Sequence, residues 1–182
     1  MKKRLEELLK TPRMYYCQAV DDNSLEGLYE LIKEHINTNT VMVEIGSFSG
    51  VSSELFAMHC KELNCVDAWE PYKEIGENLL VEGEKAFDGM QKNYKNIKKI
   101  KSTSSEAATL FENESLDFAY IDAAHDYENV KKDILAWLPK VKKGGAIGGH
   151  DYTQPDVKNA VQDVINVQAT VYSDTSWYIK LV

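Results

Sequence analysis

Apolar positions along the chain follow two spacings that alternate from segment to segment. Short β-branched runs are typical of buried strands, and apolar positions that recur every three to four residues are typical of amphipathic helices. The strand-like runs are residues 40–45, 63–67, 97–101, 116–122 and 145–149, and the helical segments are residues 1–10, 24–35, 52–60, 84–95, 104–112, 126–138 and 155–167. Strands that alternate with helices pair in parallel through right-handed crossovers. The pattern therefore predicts an α/β fold with a doubly wound sheet and helices on both faces.

The last two strand-like runs break this alternation. Residues 169–172 and 177–181 are separated by only four residues. A parallel crossover needs a dozen or more residues, whereas an antiparallel pair needs only a short turn. We therefore expect a C-terminal antiparallel hairpin that completes a mostly parallel sheet of seven strands.

Two helices carry signals for their ends and their buried faces. Ser24 is a good N-cap for the second helix, whose helical stripe is Leu25, Leu28, Leu31, Ile32 and His35. The helix over 126–138 is predicted to bury Val130, Ile134, Leu135 and Leu138. Pro139 and the glycine pair at 144–145 are predicted to end it.

The length of 182 residues allows one domain with a sizeable core. No repeat or low-complexity linker divides the chain. We expect residues 37–182 to form the domain and residues 1–36 to form a helical segment that packs on it or acts as its lid.

Charge and cysteine usage narrow the classes of partner. Lys plus Arg number 21 and Asp plus Glu number 29, a net charge of −8 that argues against nucleic-acid and anionic-membrane surfaces. No apolar run approaches the roughly 20 residues that span a bilayer, and MKKRLEELLK lacks the apolar stretch of a signal peptide. Cys17, Cys60 and Cys65 lack metal-site spacing and are interpreted as reduced thiols. The default prediction is a cytoplasmic protein.

Candidate chemistry lies where the predicted strands end, because doubly wound sheets bind ligands beyond the carboxyl ends of their strands. The segments there are EIGSFSG (44–50), DAW (67–69), TSS (103–105), DAAHD (122–126) and HDY (150–152). Gly46 and Gly50 allow a tight turn, but their spacing matches neither GxxxxGK[ST] nor GxGxxG. Glu44, Asp67 and Asp122 favour a cationic ligand, ribose hydroxyls or a metal ion over a phosphate. S-adenosylmethionine, with a sulfonium, an ammonium and a ribose, fits that set; the alternative is that the glycines are turn residues and Asp67 is a loop cap.

With these motifs in view, residues 37–182 resemble class I S-adenosylmethionine-dependent methyltransferases, which have a Rossmann-like sheet. VEIGSFSGVSS resembles the glycine motif, and CVDAW resembles the acidic end of the second strand. The segment from 115 to 152 is the most specific and resembles small-molecule O-methyltransferases of the macrolide-sugar and catechol types, the group of methyltransferase domain 24.

The resemblance implies a set of cofactor-binding residues. The methionine end would contact the first loop, the ribose hydroxyls would contact Asp67 and its neighbours, and the adenine would lie near Thr103, where the family usually has Asp. The implied set is Glu44, Gly46, Ser47, Phe48, Gly50, Asp67, Ala68, Trp69, Thr103, Ser104 and Asp122.

The resemblance also implies a divalent metal, Mg²⁺ or Mn²⁺, held by Asp122, His150 and Asp151. Mg²⁺ prefers oxygen ligands, and a histidine suits Mn²⁺ or a softer ion. His125 stands where macrolide-sugar members place the base that takes a proton from the acceptor. The alternatives are that His125 makes only local hydrogen bonds and that residues 150–151 cap the helix opened by Pro155.

We therefore expect a methyltransferase enzyme that acts on a hydroxyl of a small molecule or glycan. A cofactor-binding protein without catalysis and a dinucleotide-dependent oxidoreductase are the alternatives, although the missing GxGxxG and the hairpin disfavour the latter. Only residues 1–36 and about 70–90 are left to recognise the acceptor, and the latter form either a cover for the site or a mobile surface loop. This favours a small acceptor, or a homo-oligomer in which a second chain completes the site.

Overall fold

The predicted alternation of strands and helices is present in the structure, a computed structural model that describes residues 2–10, 25–71 and 77–182. Within these ranges the helices are α1 (Lys2–Leu8), α2 (Glu26–His35), α3 (Val51–Ala57), α4 (Glu77–Gln91), α5 (Ser104–Ala108), α6 (Tyr127–Trp137) and α7 (Pro155–Ile165). The strands are β1 (Val41–Ile45), β2 (Glu62–Asp67), β3 (Ile97–Lys101), β4 (Leu116–Ile121), β5 (Val141–Gly149), β6 (Thr170–Val171) and β7 (Trp177–Lys180).

The seven strands form one sheet in the order β3-β2-β1-β4-β5-β7-β6. The first five strands are parallel, and β7 is antiparallel to both β5 and β6. The doubly wound sheet and its C-terminal hairpin are therefore confirmed. The strand order reverses between β1 and β4, so the carboxyl ends of these two strands form the switch point of the sheet.

Both faces of the sheet are buried, and strand residues alternate between them. Val43 and Ile45 of β1 pack with α5, α6 and α7, whereas Met42 packs with α1, α2, α3 and α4. In β4, Ala119 and Ile121 face the first layer, and Phe118 faces the second. Burial on both faces explains why these strands appear in the sequence as short apolar runs.

Helix α4 begins at Glu77, seven residues before the predicted start, so most of the connection expected over 70–90 is helical. Gly83 explains the error, because glycine disfavours a helix interior. It is accommodated because the ring of Phe48 packs there, so that a Cβ on Gly83 would lie 2.6 Å from Phe48 Cε2. Phe87 is fully buried and is therefore not positioned to contact an acceptor. Residues 72–76 of the predicted cover lie outside the described residues.

The buried face of α6 differs from the predicted stripe. Val130 and Ile134 are buried as expected, but the third core residue is Trp137, and Leu135 is 54% exposed. The helix ends at Trp137 and passes into a 3-10 turn that contains Pro139. The glycine pair at 144–145 does not end the helix, because it lies inside β5, where the pairing with β4 shifts register.

The N-terminal helices pack on the face formed by α3. Leu28, Leu31 and Ile32 of α2 are fully buried, as predicted. Arg4 of α1 donates a hydrogen bond to the buried carboxylate of Glu54 over 2.8 Å. Ser24 and residues 11–23 lie outside the described residues, so the lid expected from residues 1–36 stays a prediction.

The structure describes two of the three cysteines. Cys60 and Cys65 are buried free thiols, and burial raises the pKa of Cys60 to about 12; Cys17 lies outside the described part.

Among the described helices, none combines the length and the apolar character that crossing a membrane requires.

Asp133 on α6 gives the fold a pH-dependent weakness. Its side chain is buried, and burial raises its pKa to about 6, although a hydrogen bond from Ser104 lowers it in part. Since this pKa is higher in the folded than in the unfolded chain, the ionised carboxyl costs stability. That cost disappears below the unfolded pKa of 3.8, is small near pH 4 and is complete above the folded pKa.

We therefore expect Asp133→Asn to raise the free energy of unfolding by about 1–3 kcal/mol at pH 8 and to change it little at pH 4. Urea unfolding at both pH values measures the difference. Glu82→Gln, which neutralises an exposed carboxylate of α4, is the control and should have little effect at either pH. An equal gain at both pH values would show that ionisation of Asp133 is not the cause.

Candidate active site

The site is built around the contact between the loop after β1 and the segment after β4. Gly46 opens the first loop, residues 46–50, which we call the glycine loop. A Cβ on Gly46 would overlap the carbonyl oxygen of Asp122, and the φ of Gly46 is 92°. The N–H of Asp122 donates to the carbonyl of Ile45 over 2.7 Å. Only glycine fits here without strain, and this places the glycine loop directly beside Asp122.

Glu44 lies beneath the glycine loop and is fully buried. Its carboxylate accepts hydrogen bonds from the hydroxyls of Ser47, at 2.8 Å, of Ser52, at 2.5 Å, and of Ser53. Burial raises the pKa of Glu44, and these hydroxyls offset part of that shift. The Glu44 and Ser47 side chains thus face each other under the loop and tie it to α3, so direct contact of these side chains with a ligand stays a prediction.

Asp67 joins the glycine loop to the end of β2. Its Oδ2 accepts from the N–H of Phe48 over 2.9 Å, and its Oδ1 accepts from the N–H of Trp69 over 2.7 Å. Burial raises the pKa of Asp67, and both hydrogen bonds partly lower it. Phe48 and Trp69 have left-handed φ values of 40° and 47°, which side chains rarely adopt. Asp67 therefore holds two strained loops together at the place predicted for the ribose.

Trp69 is covered by its neighbours. Its ring lies 5.2 Å from that of Phe87, and Lys99 Nζ stands 4.6 Å from its centre. Lys99 is held there by ion pairs of 2.7 Å with Glu84 and Asp88 of α4. The ring therefore connects α4 to the sheet. Ala68, which precedes it, is half-buried.

The residues predicted near the adenine both have structural partners. Thr103 caps α5 by accepting from the N–H of Glu106, and its hydroxyl donates to Glu106 Oε2 over 2.7 Å. Ser104 Oγ accepts from Trp137 Nε1 over 2.9 Å. Their contact with a cofactor stays a prediction.

The structure brings together four side chains that we call the acid–histidine cluster: Asp122, His125, His150 and Asp151. His125 Nε2 lies 3.0 Å from Asp151 Oδ2 and 3.9 Å from Asp122 Oδ1. His150 Nδ1 lies 3.2 Å and 3.7 Å from the same two atoms. Asp151 has a left-handed φ of 60°. Since the N-cap of α7 is Gln154, residues 150–151 do not cap that helix.

The histidines and carboxylates of the cluster shift one another's pKa values. Burial by itself lowers the pKa of His125, but Asp122 and Asp151 outweigh it and raise that pKa to about 10. Burial by itself raises the pKa of Asp151, yet His125 and His150 hold it well below its usual range. Without another cation, the two carboxylates therefore favour the imidazolium form of His125.

The donor set of the cluster also suits a divalent ion. Ligand atoms of Asp122, His125 and Asp151 all lie within 4.8 Å of one another. His125 Nε2 is buried and lacks a hydrogen bond of acceptable geometry, although Asp151 is near. A buried nitrogen of this kind, aimed at two carboxylates, suits either a metal ligand or a base, but it cannot be both at once. Asp122 and Asp151, with His150 Nδ1 at 3.7 and 3.2 Å from them, thus fit the metal that the resemblance implies.

A family model described as a methyltransferase domain matches residues 43–152, more than half of the chain. The chain belongs to this methyltransferase family. It is a class I S-adenosylmethionine-dependent methyltransferase, and the oxidoreductase alternative is set aside. No curated protein matches the sequence.

Solved structures share the fold of this methyltransferase. Precorrin 8W decarboxylase from Methanobacterium thermoautotrophicum is 14% identical, with a TM-score of 0.65 over 87% of this chain and 91% of that chain. The tRNA (m1A58) methyltransferase of Aquifex aeolicus is 15% identical, with a TM-score of 0.66 over 96% and 73% of the two chains. A Streptococcus mutans protein in complex with SAH is 14% identical, with a TM-score of 0.59 over 85% and 94%.

Two groups of residues at the site escaped sequence reasoning. Ser52 and Ser53 hold Glu44, and the only sequence signal was the VSS that follows Gly50. Asp174 and Thr175 contact His150 from the turn between β6 and β7, a contact that no local pattern indicates.

We expect Gly46→Ala to destabilise the methyltransferase by about 2–4 kcal/mol and to abolish cofactor binding, because the new methyl group meets the Asp122 backbone at a left-handed φ. Urea unfolding and calorimetric titration with S-adenosylhomocysteine measure the two effects. Gly89→Ala is the matched control, since a Cβ there meets nothing within 4 Å in helix α4. It should stabilise the protein by up to about 1 kcal/mol. Wild-type stability of Gly46→Ala would contradict the close contact.

Proposed function

We propose that this methyltransferase transfers a methyl group from S-adenosylmethionine to a hydroxyl oxygen of a small molecule or glycan. The proposal is carried by the position of His125 Nε2, 3.0 Å from Asp151, in a cluster that adjoins the glycine loop. As the C–O bond forms, the C–S bond breaks. The proton of the hydroxyl passes to His125, and S-adenosylhomocysteine leaves as a neutral thioether.

His125 accepts a proton only in its neutral form, so the negative charges that hold it protonated must be compensated during the reaction. A divalent metal ion held by Asp122, His150 and Asp151 would compensate them, lower the pKa of the acceptor hydroxyl and orient its oxygen. The protein contributes mainly position: the glycine loop, Asp67 and the acid–histidine cluster are fixed by backbone contacts before the acceptor arrives.

The charges around the site favour a neutral acceptor. Asp122 and Asp151 belong to the acid–histidine cluster, Asp67 ends β2 at the carboxyl edge of the same sheet, and the whole chain carries a net charge of −8. A phosphate-rich acceptor would meet like charge. The charges therefore disfavour an RNA acceptor such as the tRNA of the Aquifex protein.

We expect His125→Ala to lower methyl transfer by about 10²- to 10⁴-fold and to leave the affinity for S-adenosylmethionine unchanged, because the residue acts on the acceptor proton. Radiolabelled methyl transfer to a panel of catechols, glycosides and macrolide sugars measures the first effect, and calorimetry measures the second. His59→Ala is the control, since His59 follows α3 and its ring Nδ1 hydrogen-bonds the carbonyl of Leu55. Full activity of His125→Ala contradicts its role as base. Cofactor binding without methylation of any acceptor favours the alternative of a binding protein.

We expect exhaustive chelation with EDTA to suppress methyl transfer and a divalent ion to restore it, because a bound metal would compensate the two carboxylates of the cluster. Calorimetry of S-adenosylhomocysteine binding to the chelated protein serves as the control and should be unchanged. Full activity after chelation would remove the metal from the mechanism.

A further inference from the structure

The turn between β6 and β7 determines which nitrogen of His150 carries hydrogen. His150 Nε2 lies 2.5 Å from the carbonyl oxygen of Asp174. A carbonyl oxygen only accepts hydrogen bonds, so Nε2 is the donor. In the neutral ring, Nδ1 is then the nitrogen with the free lone pair.

The same turn is held rigidly. Asp174 is buried, and its carboxylate accepts from the N–H and the hydroxyl of Ser176 over 3.0 and 2.9 Å. The N–H of Tyr152 donates to the carbonyl of Thr175, and Trp177 Nε1 donates to the carbonyl of His150 over 3.2 Å. The backbone and the ring of His150 are therefore both fixed by the hairpin.

This orientation aims Nδ1 into the acid–histidine cluster. Nδ1 lies 3.2 Å from Asp151 Oδ2 and 3.7 Å from Asp122 Oδ1. Nδ1 is therefore the ring nitrogen that faces the two carboxylates, and it is the one that can bind a cation held between them. An imidazole whose other N–H donates to a backbone carbonyl is the usual arrangement of a metal-bound histidine.

We infer that the hairpin turn presets His150 as a nitrogen ligand through Nδ1, so that the metal centre of Asp122, His150 and Asp151 selects Mn²⁺, Co²⁺ or another first-row transition ion over Mg²⁺. The inference rests on the metal assistance proposed above and specifies the ion. Mg²⁺ demands oxygen ligands in an octahedral set, whereas imidazole nitrogen suits the transition ions.

Metal binding to the chelated full-length protein tests the selectivity without any acceptor. Calorimetric titration should show that Mn²⁺ and Co²⁺ bind at least about tenfold more tightly than Mg²⁺. His150→Gln keeps an amide N–H for the Asp174 carbonyl but loses the ring nitrogen, and it should weaken Mn²⁺ binding by about 10- to 100-fold. His150→Glu makes the set all-oxygen and should turn the preference toward Mg²⁺. His59→Gln is the control and should bind as the wild type does.

Electron spin-echo envelope modulation spectroscopy identifies the ligand atom directly. Mn²⁺ bound to wild-type protein with ¹⁵N-labelled histidine should show coupling to a ring nitrogen, and this coupling should disappear in His150→Gln. If His150→Gln does not fold, the inference is still supported when the wild type and His125→Gln show the same coupling to a ring nitrogen. Coupling that disappears only in His125→Gln overturns it.

The outcomes separate this inference from the proposed function. Equal affinity for Mg²⁺ and Mn²⁺ overturns the selectivity and leaves metal-assisted transfer standing. Absence of binding by every divalent ion overturns both the inference and the metal assistance. The role of His125 as base is then judged by its own variant.

Discussion

The contact between Gly46 and the backbone of Asp122 is the constraint on which the rest of the site depends. It exists because β1 and β4 are neighbours at the switch point, and because Ile45 and Asp122 share a hydrogen bond of 2.7 Å. A glycine is needed there, since any Cβ would overlap the Asp122 carbonyl. As a result, the glycine loop lies directly beside the first residue of the cluster proposed to activate the acceptor. Methyl transfer requires this closeness, because donor and acceptor must meet in line.

The methyltransferase places several carboxylates near this edge, and each is compensated by a different kind of partner. Glu44 is surrounded by serine hydroxyls, and Asp67 accepts from two backbone N–H groups. Asp151 is compensated by histidine rings instead. The serine hydroxyls around Glu44 and the backbone N–H groups around Asp67 are parts of the fold that nothing replaces during a reaction. These two carboxylates therefore have fixed surroundings. A histidine can lose its proton or exchange it for a metal ion, and this makes the acid–histidine cluster the part of the edge suited to chemistry.

Backbone strain marks the same edge. Four of the six non-glycine residues with positive φ in the described part of the chain border the site: Phe48, Trp69, Asp151 and Thr175. Each of these conformations destabilises the backbone locally, and the surrounding contacts must offset that cost. Asp67 accepts from the N–H groups of the first two. Thr175 lies in the hairpin turn, and the neighbours of Asp151, His150 and Tyr152, both hydrogen-bond to that turn.

The sequence by itself determined the layered fold, the hairpin and the set of polar residues at the strand ends. These follow from local periodicity and from the rule that short connections join antiparallel strands. The tertiary structure decided what could not be read locally: that Glu44 is buried under the glycine loop, that α4 extends through Gly83, and that Trp69 is covered by Lys99. It also decided that the hairpin turn orients His150. Each of these depends on contacts between residues far apart in the chain, where burial and neighbouring charge override the preference of the residue alone.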